Sequence, residues 1–206
     1  MSDISRRAVI ASAAIVPVAA LTAAAQSTAT KPEALALSDA QLRLLAAFVD
    51  RLIPKDELGP SASESGVPEY INRALGDYLA SEKPAFIEGL EATDAFARRS
   101  EDRAFVDLTP DRQDALLTMM DNGSAAGFPN ARAFFNRARR LTMEGMFGDP
   151  YYGGNKNFAG WDLIRYPGPR LATSQDDQKM GVEIKPYHHS AYGASGEGSS
   201  GANHGH

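Results

Sequence analysis

The residues best suited to nucleophilic or metal chemistry are four histidines, and all lie near the C-terminus, as His188, His189, His204 and His206. A Ser–His–Asp arrangement needs a histidine that packing and a carboxylate hold in place. The surrounding Ser-, Gly- and His-rich sequence predicts a disordered tail over residues 171–206, because it buries too little apolar area to offset chain entropy. The sequence therefore predicts no catalytic residue and no metal site here; weak metal binding by the tail is the alternative.

Adjacent carboxylates could serve general acid–base chemistry of the kind that glycoside hydrolysis uses. Three such pairs occur: Asp56/Glu57, Glu101/Asp102 and Asp176/Asp177. Adjacency in sequence does not define how far apart two carboxylates lie in space. Solvated helix faces and caps are commoner roles for such pairs, and we expect those roles here.

The sequence predicts no phosphate-binding loop. No Gly-x-Gly-x-x-Gly follows a predicted strand, no Gly-x-x-x-x-Gly-Lys-Ser/Thr occurs, and the run Gly153–Lys156 is too short for a phosphate loop. The chain has no cysteine, which excludes disulfides, iron–sulfur clusters and covalent c-type haem. We therefore expect no cofactor in this chain.

An aromatic and glycine-rich segment, residues 148–170, is the most informative part of the chain and is called the aromatic loop below. Tyrosine and tryptophan offer large contact areas with few torsions to immobilise, which suits a partner interface. The alternative is an ordered cap whose aromatic side chains pack inward, and the residue types alone do not decide between them. The predicted interface residues are Pro150, Tyr151, Tyr152, Gly153, Gly154, Asn155 and Trp161.

Helix signals dominate the sequence that must position this loop. They predict a first helix from a capping box at Ser38 to a stop at Pro54, a second from Pro68 with Tyr78 on its apolar face, and a third from Pro84 to about Phe105. A fourth helix starts at Thr109-Pro110, with Thr109 as its cap, and ends at Asn122-Gly123, and a fifth starts with a cap at Asn130. No segment shows the alternation of a strand. The sequence predicts an all-α fold over residues 38–170: a small helical bundle of about five helices, followed by a C-terminal Gly/Tyr/Trp-rich irregular segment and the disordered tail.

The first 25 residues predict an export signal. Arg6 and Arg7 precede a mildly apolar, alanine-rich run, as in twin-arginine signals, which direct folded proteins to their translocase. Small residues ending at Ala25 predict cleavage before Gln26 and a periplasmic location. An ordinary secretory signal and a retained transmembrane helix are the alternatives. The net charge of −5 argues against nucleic acid as a partner.

The sequence resembles the gluconate 2-dehydrogenase subunit 3 family, the small subunits of membrane-associated flavin dehydrogenases. The resemblance covers about residues 38–170. The residues that carry it are the twin-arginine start, Leu52-Ile53-Pro54 with Gly59-Pro60-Ser61-Ala62, and Asp149-Pro150-Tyr151-Tyr152-Gly153-Gly154-Asn155 with Gly160-Trp161.

This resemblance implies a non-catalytic subunit that brings an export signal to a larger flavoprotein and supports its folding. The large subunit of such complexes holds FAD and oxidises a sugar, sugar acid or polyol, and a cytochrome c subunit accompanies it in many members. It also implies a membrane association through the complex. A stand-alone periplasmic binding or scaffold module, or a hydrolytic or metal-dependent enzyme, is the alternative function.

Overall fold

The computed structural model describes residues 36–170, 172–182 and 184–193. Within these ranges the chain forms helices and loops without a named strand, which confirms the predicted all-α fold. A short sixth helix joins the five that the sequence predicts. The helices are α1 (Asp39–Leu52), α2 (Val67–Gly76), α3 (Lys83–Glu101), α4 (Pro110–Asn122), α5 (Ala131–Phe147) and α6 (Ala159–Leu163).

The capping box predicted at the start of α1 is present. The Ser38 side chain accepts the N–H of Gln41 at 3.3 Å, and the Gln41 side chain accepts the N–H of Ser38 at 2.9 Å. Two of the N–H groups that a helix start leaves unpaired are thereby satisfied. The helix ends at Leu52, just before the predicted stop at Pro54.

The end of α3 differs from the prediction, which extended this helix to Phe105. The helix stops at Glu101 because Asp102 takes a left-handed conformation with a φ of 56°. The carboxylate of Asp94 accepts the N–H of Phe105 at 2.9 Å and folds the chain back toward the helix. Phe105 then enters the core from a separate 3₁₀ turn.

Two predicted caps make no side-chain hydrogen bond. Thr109 and Asn130 occupy the positions before α4 and α5, but neither side chain accepts an N–H from its helix. The C-terminal stop of α4 is as predicted. Gly123 takes a φ of 79°, and its N–H bonds to the carbonyls of the last helical turn.

The core forms around α1. The fully buried ring of Phe48 lies 6.3 Å from Phe105, 5.9 Å from Phe134 and 6.1 Å from Phe135, measured between ring centroids. These contacts join α1 to α5 and to the turn after α3. Truncating such a buried phenylalanine to alanine typically costs about 3–5 kcal/mol of unfolding free energy.

The helix α5 packs against α2 and α4 and ends at the aromatic loop. On the other side of the bundle, Arg51 in α1 makes a bidentate ion pair with Asp114 in α4, with bonds of 2.7 and 2.8 Å. The hydrogen bonds from Arg51 lower the pKa of Asp114. In the described part of the chain, no helix has both the length and the apolar character needed to cross a membrane.

Candidate partner-binding site

The aromatic loop begins with a 3₁₀ turn, Pro150–Tyr152. The Oδ1 atom of Asp149 accepts the N–H of Tyr151 at 2.9 Å, which is the hydrogen bond of a helix N-cap. Gly153 ends the turn in a left-handed conformation with a φ of 97°. The turn holds the rings of Tyr151 and Tyr152 on the outside of the molecule, where 46% and 42% of their surfaces are exposed.

Asn155 organises the interior of the loop. Its side chain is fully buried; Nδ2 donates to the carbonyl of Gly148 and Oδ1 accepts the N–H of Gly160, both at 2.8 Å. The neighbouring Gly154 lies so close to α5 that a Cβ atom there would be 2.2 Å from the carbonyl oxygen of Gly145. These contacts fasten the loop to the last turn of α5.

Trp161 lies in α6 and packs inward. Only 4% of its surface is exposed, and its Nε1–H donates to the carbonyl of Phe147 at 3.0 Å. Its ring centroid lies 5.3 Å from that of Phe158 and 4.9 Å from that of Tyr166. Of the two roles that the sequence left open, Trp161 takes that of an inward-packed residue.

The predicted interface residues therefore fall into two groups. The outer group consists of Pro150, Tyr151, Tyr152 and Gly153, which are exposed or partly exposed, and the inner group consists of Gly154, Asn155 and Trp161, which are buried. The inner residues are buried in the isolated chain, where Asn155 and Trp161 shape the loop through the hydrogen bonds described above. The outer group holds the predicted interface residues whose side chains reach the surface, and their contact with a partner stays a prediction.

A third tyrosine joins the two exposed ones. Tyr192 is 61% exposed, and its ring centroid lies 5.2 Å from that of Tyr151 and 5.5 Å from that of Tyr152. A hydrogen bond with Tyr192 raises the pKa of the Tyr152 hydroxyl. The three rings form one exposed cluster, called the tyrosine cluster below. Tyrosines present both apolar area and hydroxyl groups, as partner surfaces commonly do.

Sequence reasoning missed Tyr192 because it treated residues 171–206 as a flexible tail. In the structure, residues 184–193 lie against the aromatic loop. The flexibility of residues 171–206 as a whole stays a prediction. The signal that could have found this contact is the density of rings in the segment, which contains Tyr187, His188, His189 and Tyr192. Rings of this kind supply contact area that the rest of the tail lacks.

One side chain of α2 reaches the tyrosine cluster, and a second belongs to a partly buried hydrogen-bond group; the sequence analysis identified neither contact. Arg73 donates to the carbonyl of Tyr151 at 3.4 Å. The hydroxyl of Tyr70 lies 2.8 Å from that of Tyr78 and donates to Glu144 at 3.2 Å. Burial of Tyr70 raises its pKa well above the ordinary value. Tyr78, expected on the apolar face of α2, is 61% exposed instead.

Several of the groups considered for catalysis have structural partners in the described part of the chain. His188 makes a 2.7 Å contact between its Nε2 atom and the carboxylate of Asp162, at the surface of the aromatic loop. Asp56 accepts the N–H groups of Leu58 and Gly59 and so closes a turn. Across the ranges that the structure describes, no three histidine, aspartate or glutamate side chains converge as metal ligands would.

An apolar cleft of about 500 Å³ lies between α3 and the segment around the start of α5. Phe86, Phe128 and Phe134 line it, and the ion pair between Glu82 and Arg137 lies at its edge. The residues that line it include no histidine. The sequence patterns did not indicate this cleft, because residues far apart in the chain line it.

The predicted export signal lies outside the described residues. This applies to Arg6 and Arg7 as well as to the predicted cleavage point between Ala25 and Gln26.

Comparison with known proteins identifies one family. The family described as "Gluconate 2-dehydrogenase subunit 3" matches residues 39–168, from the first residue of α1 almost to the end of the aromatic loop. No curated protein and no solved structure matches the chain. The match covers more than half of the chain and confirms the resemblance carried by the sequence motifs. The chain belongs to the gluconate 2-dehydrogenase subunit 3 family.

Proposed function

We propose that this chain is a non-catalytic small subunit of a heteromeric FAD-dependent dehydrogenase that acts on sugars or sugar acids. The observation that carries the proposal is the family match over residues 39–168, because the family's name describes a subunit of a dehydrogenase. FAD and the substrate are bound by a separate, larger flavoprotein subunit. A cytochrome c subunit is a further candidate member of the complex.

The tyrosine cluster is the surface that we assign to the flavoprotein. Tyrosine is among the residues that most often contribute strongly to binding at protein interfaces. The buried contacts of Asn155 and Trp161 hold the loop, so the exposed rings are ordered before the partner arrives. Ordering them in advance reduces the entropy that association must overcome. A permanent complex of this kind buries about 2,000 Å² or more in total.

The second part of the proposed function is export. Arg6 and Arg7 act as a twin-arginine signal for the translocase, and the flavoprotein crosses the membrane already folded and bound to this chain. The assembled enzyme is periplasmic and is associated with the membrane through the complex. Support for folding and assembly of the flavoprotein follows from the same association.

Replacement of both signal arginines tests this function. In an Arg6→Lys/Arg7→Lys double variant, the dehydrogenase activity should accumulate in the cytoplasm and disappear from the periplasm. The matched control is Arg139→Lys/Arg140→Lys, an adjacent exposed pair in α5 that undergoes the same charge-preserving change. Normal periplasmic activity in the signal variant would contradict the export role.

A further inference from the structure

Residues 184–193, called the strap below, lie outside the family match and follow the aromatic loop closely. The N–H of Tyr187 donates to the carbonyl of Pro167 at 3.0 Å. The ring of His188 stacks on that of Phe158, with centroids 4.8 Å apart and planes 4° from parallel. The strap therefore contacts the loop through both its backbone and its rings.

The carboxylate of Asp149 joins the strap to the 3₁₀ turn Pro150–Tyr152. Oδ1 of Asp149 accepts the N–H of Tyr151, and Oδ2 of the same residue accepts the N–H of Ala191, each at 2.9 Å. The position of Tyr151 and that of the strap are thus set by one side chain. The next strap residue, Tyr192, completes the tyrosine cluster and donates its N–H to Oγ of the buried Ser190 at 3.1 Å.

Gly168 allows the strap to pass close to the backbone of the aromatic loop. Its φ is 86°, and a Cβ atom there would lie 2.1 Å from the backbone carbonyl oxygen of Tyr187. A side chain at this position would force the strap away from the loop. Gly181 offers a comparison, because its φ is 80° but a Cβ atom there would meet no atom within 4 Å.

We infer that the strap orders the aromatic loop and contributes Tyr192 to the surface that binds the flavoprotein subunit. This inference rests on the proposed function and extends the binding surface beyond residues 39–168. The Asp149 carboxylate couples the two halves of the surface, so loss of the strap removes one ring and loosens the turn that carries the other two.

The test compares Gly168→Ala with Gly181→Ala in the full chain. Both changes place alanine in a left-handed conformation and share that backbone strain, but only the first obstructs the strap. Affinity for the flavin-containing subunit purified from the native host is measured by titration. Gly168→Ala should weaken binding about tenfold, and Gly181→Ala should leave it unchanged. Equal affinity of both variants would overturn the inference.

Three further variants distinguish loss of the strap contact from a folding defect in Gly168→Ala. Tyr192→Ser should weaken binding without changing the stability of the isolated chain. A truncation that removes residues 184–206 should weaken binding more, and a truncation of residues 194–206 should not change it. Wild-type affinity in Tyr192→Ser or in the longer truncation would overturn the inference. The wild-type chain could instead self-associate through this surface. Self-association that is lost in Tyr192→Ser would assign the surface to a second copy of the chain and would also overturn the inference.

Fluorescence of the single tryptophan, Trp161, distinguishes failure of this inference from failure of the proposed function. The ring of Phe158 contacts both Trp161 and His188. Removing the strap therefore exposes Phe158, which packs against the indole of Trp161, to solvent. The longer truncation should shift Trp161 emission to longer wavelength in the absence of any partner; unchanged emission would overturn the inference. A wild-type chain that does not bind the flavin subunit would contradict the proposed function, whatever the emission shows about the strap.

Discussion

The indole N–H of Trp161 donates a 3.0 Å hydrogen bond to the carbonyl of Phe147, the last residue of α5. Carbonyls at a helix C-terminus have no partner within the helix and must find one elsewhere. Trp161 supplies that partner and at the same time buries its ring beside Phe158 and Tyr166. The end of α5 and the aromatic loop are therefore one packed unit.

We expect Trp161 to contribute to the stability of the isolated chain. Trp161→Ala should lower the unfolding free energy by about 3–5 kcal/mol because it removes a buried ring, and Trp161→Phe should cost less because it retains a ring. Urea unfolding followed by circular dichroism measures both. An alanine variant as stable as the wild type would show that the ring is not packed as described.

Asn155 should tolerate no change of its amide group. Asn155→Asp replaces the donor that faces the Gly148 carbonyl with an oxygen in a fully buried position, so it should destabilise the chain by about 2–3 kcal/mol. Asn157→Asp is the matched control, since Asn157 also has a positive φ but is exposed. The control should change stability by less than about 0.5 kcal/mol. Equal effects of the two changes, measured by thermal unfolding, would argue against the buried network.

The exposed tyrosines should matter for binding and not for folding. Tyr151→Ser/Tyr152→Ser should weaken association with the flavoprotein by about 2 kcal/mol or more, which is roughly 30-fold in Kd. Val106→Ser is the control, because Val106 is 43% exposed, close to the 42% of Tyr152, and lines a groove beside the start of α1. Titration of the complex should separate the two variants. Full affinity in the tyrosine variant would remove the cluster from the interface.

The ion pair between Arg51 and Asp114 predicts a dependence of stability on pH. Because the pKa of Asp114 is lower in the folded chain, the pair stabilises fully above the ordinary aspartate pKa of about 4 and loses this effect as pH falls through the folded value. Asp114→Asn should therefore cost about 0.5–1 kcal/mol at pH 7 and less in strong acid.

Denaturant unfolding at several pH values measures this difference. The control is Asp107→Asn, which alters an exposed carboxylate. A stability difference between Asp114→Asn and the wild type that stays constant down to strong acid would count against the ion pair as its source.

Helix starts and stops were predictable where a few neighbouring residues determine them. The capping box at Ser38 and the left-handed Gly123 depend on a few neighbouring residues, and both are in the structure as predicted. The end of α3 was not predictable in this way. It is accompanied by a hydrogen bond that the N–H of Phe105 donates to the carboxylate of Asp94, which forms only once the chain has turned back.

The candidate site was predictable in its location but not in the direction of its side chains. Tyrosine, tryptophan and glycine identify the aromatic loop, yet the sequence cannot show that Trp161 points inward while Tyr151 points outward. That difference arises from contacts with the end of α5, which are tertiary. The contribution of Tyr192 was hidden for the same reason, because its contact with the ring of Tyr151 is also tertiary.

Affinity purification of this chain from its native host, followed by an absorbance spectrum of the eluted proteins, tests the central claim most directly. We predict that a larger chain elutes with it and carries the visible absorption bands of a flavin. An isolated mature chain that is itself yellow or oxidises a substrate unaided would contradict the claim, and so would a stable monomer that recovers no dehydrogenase.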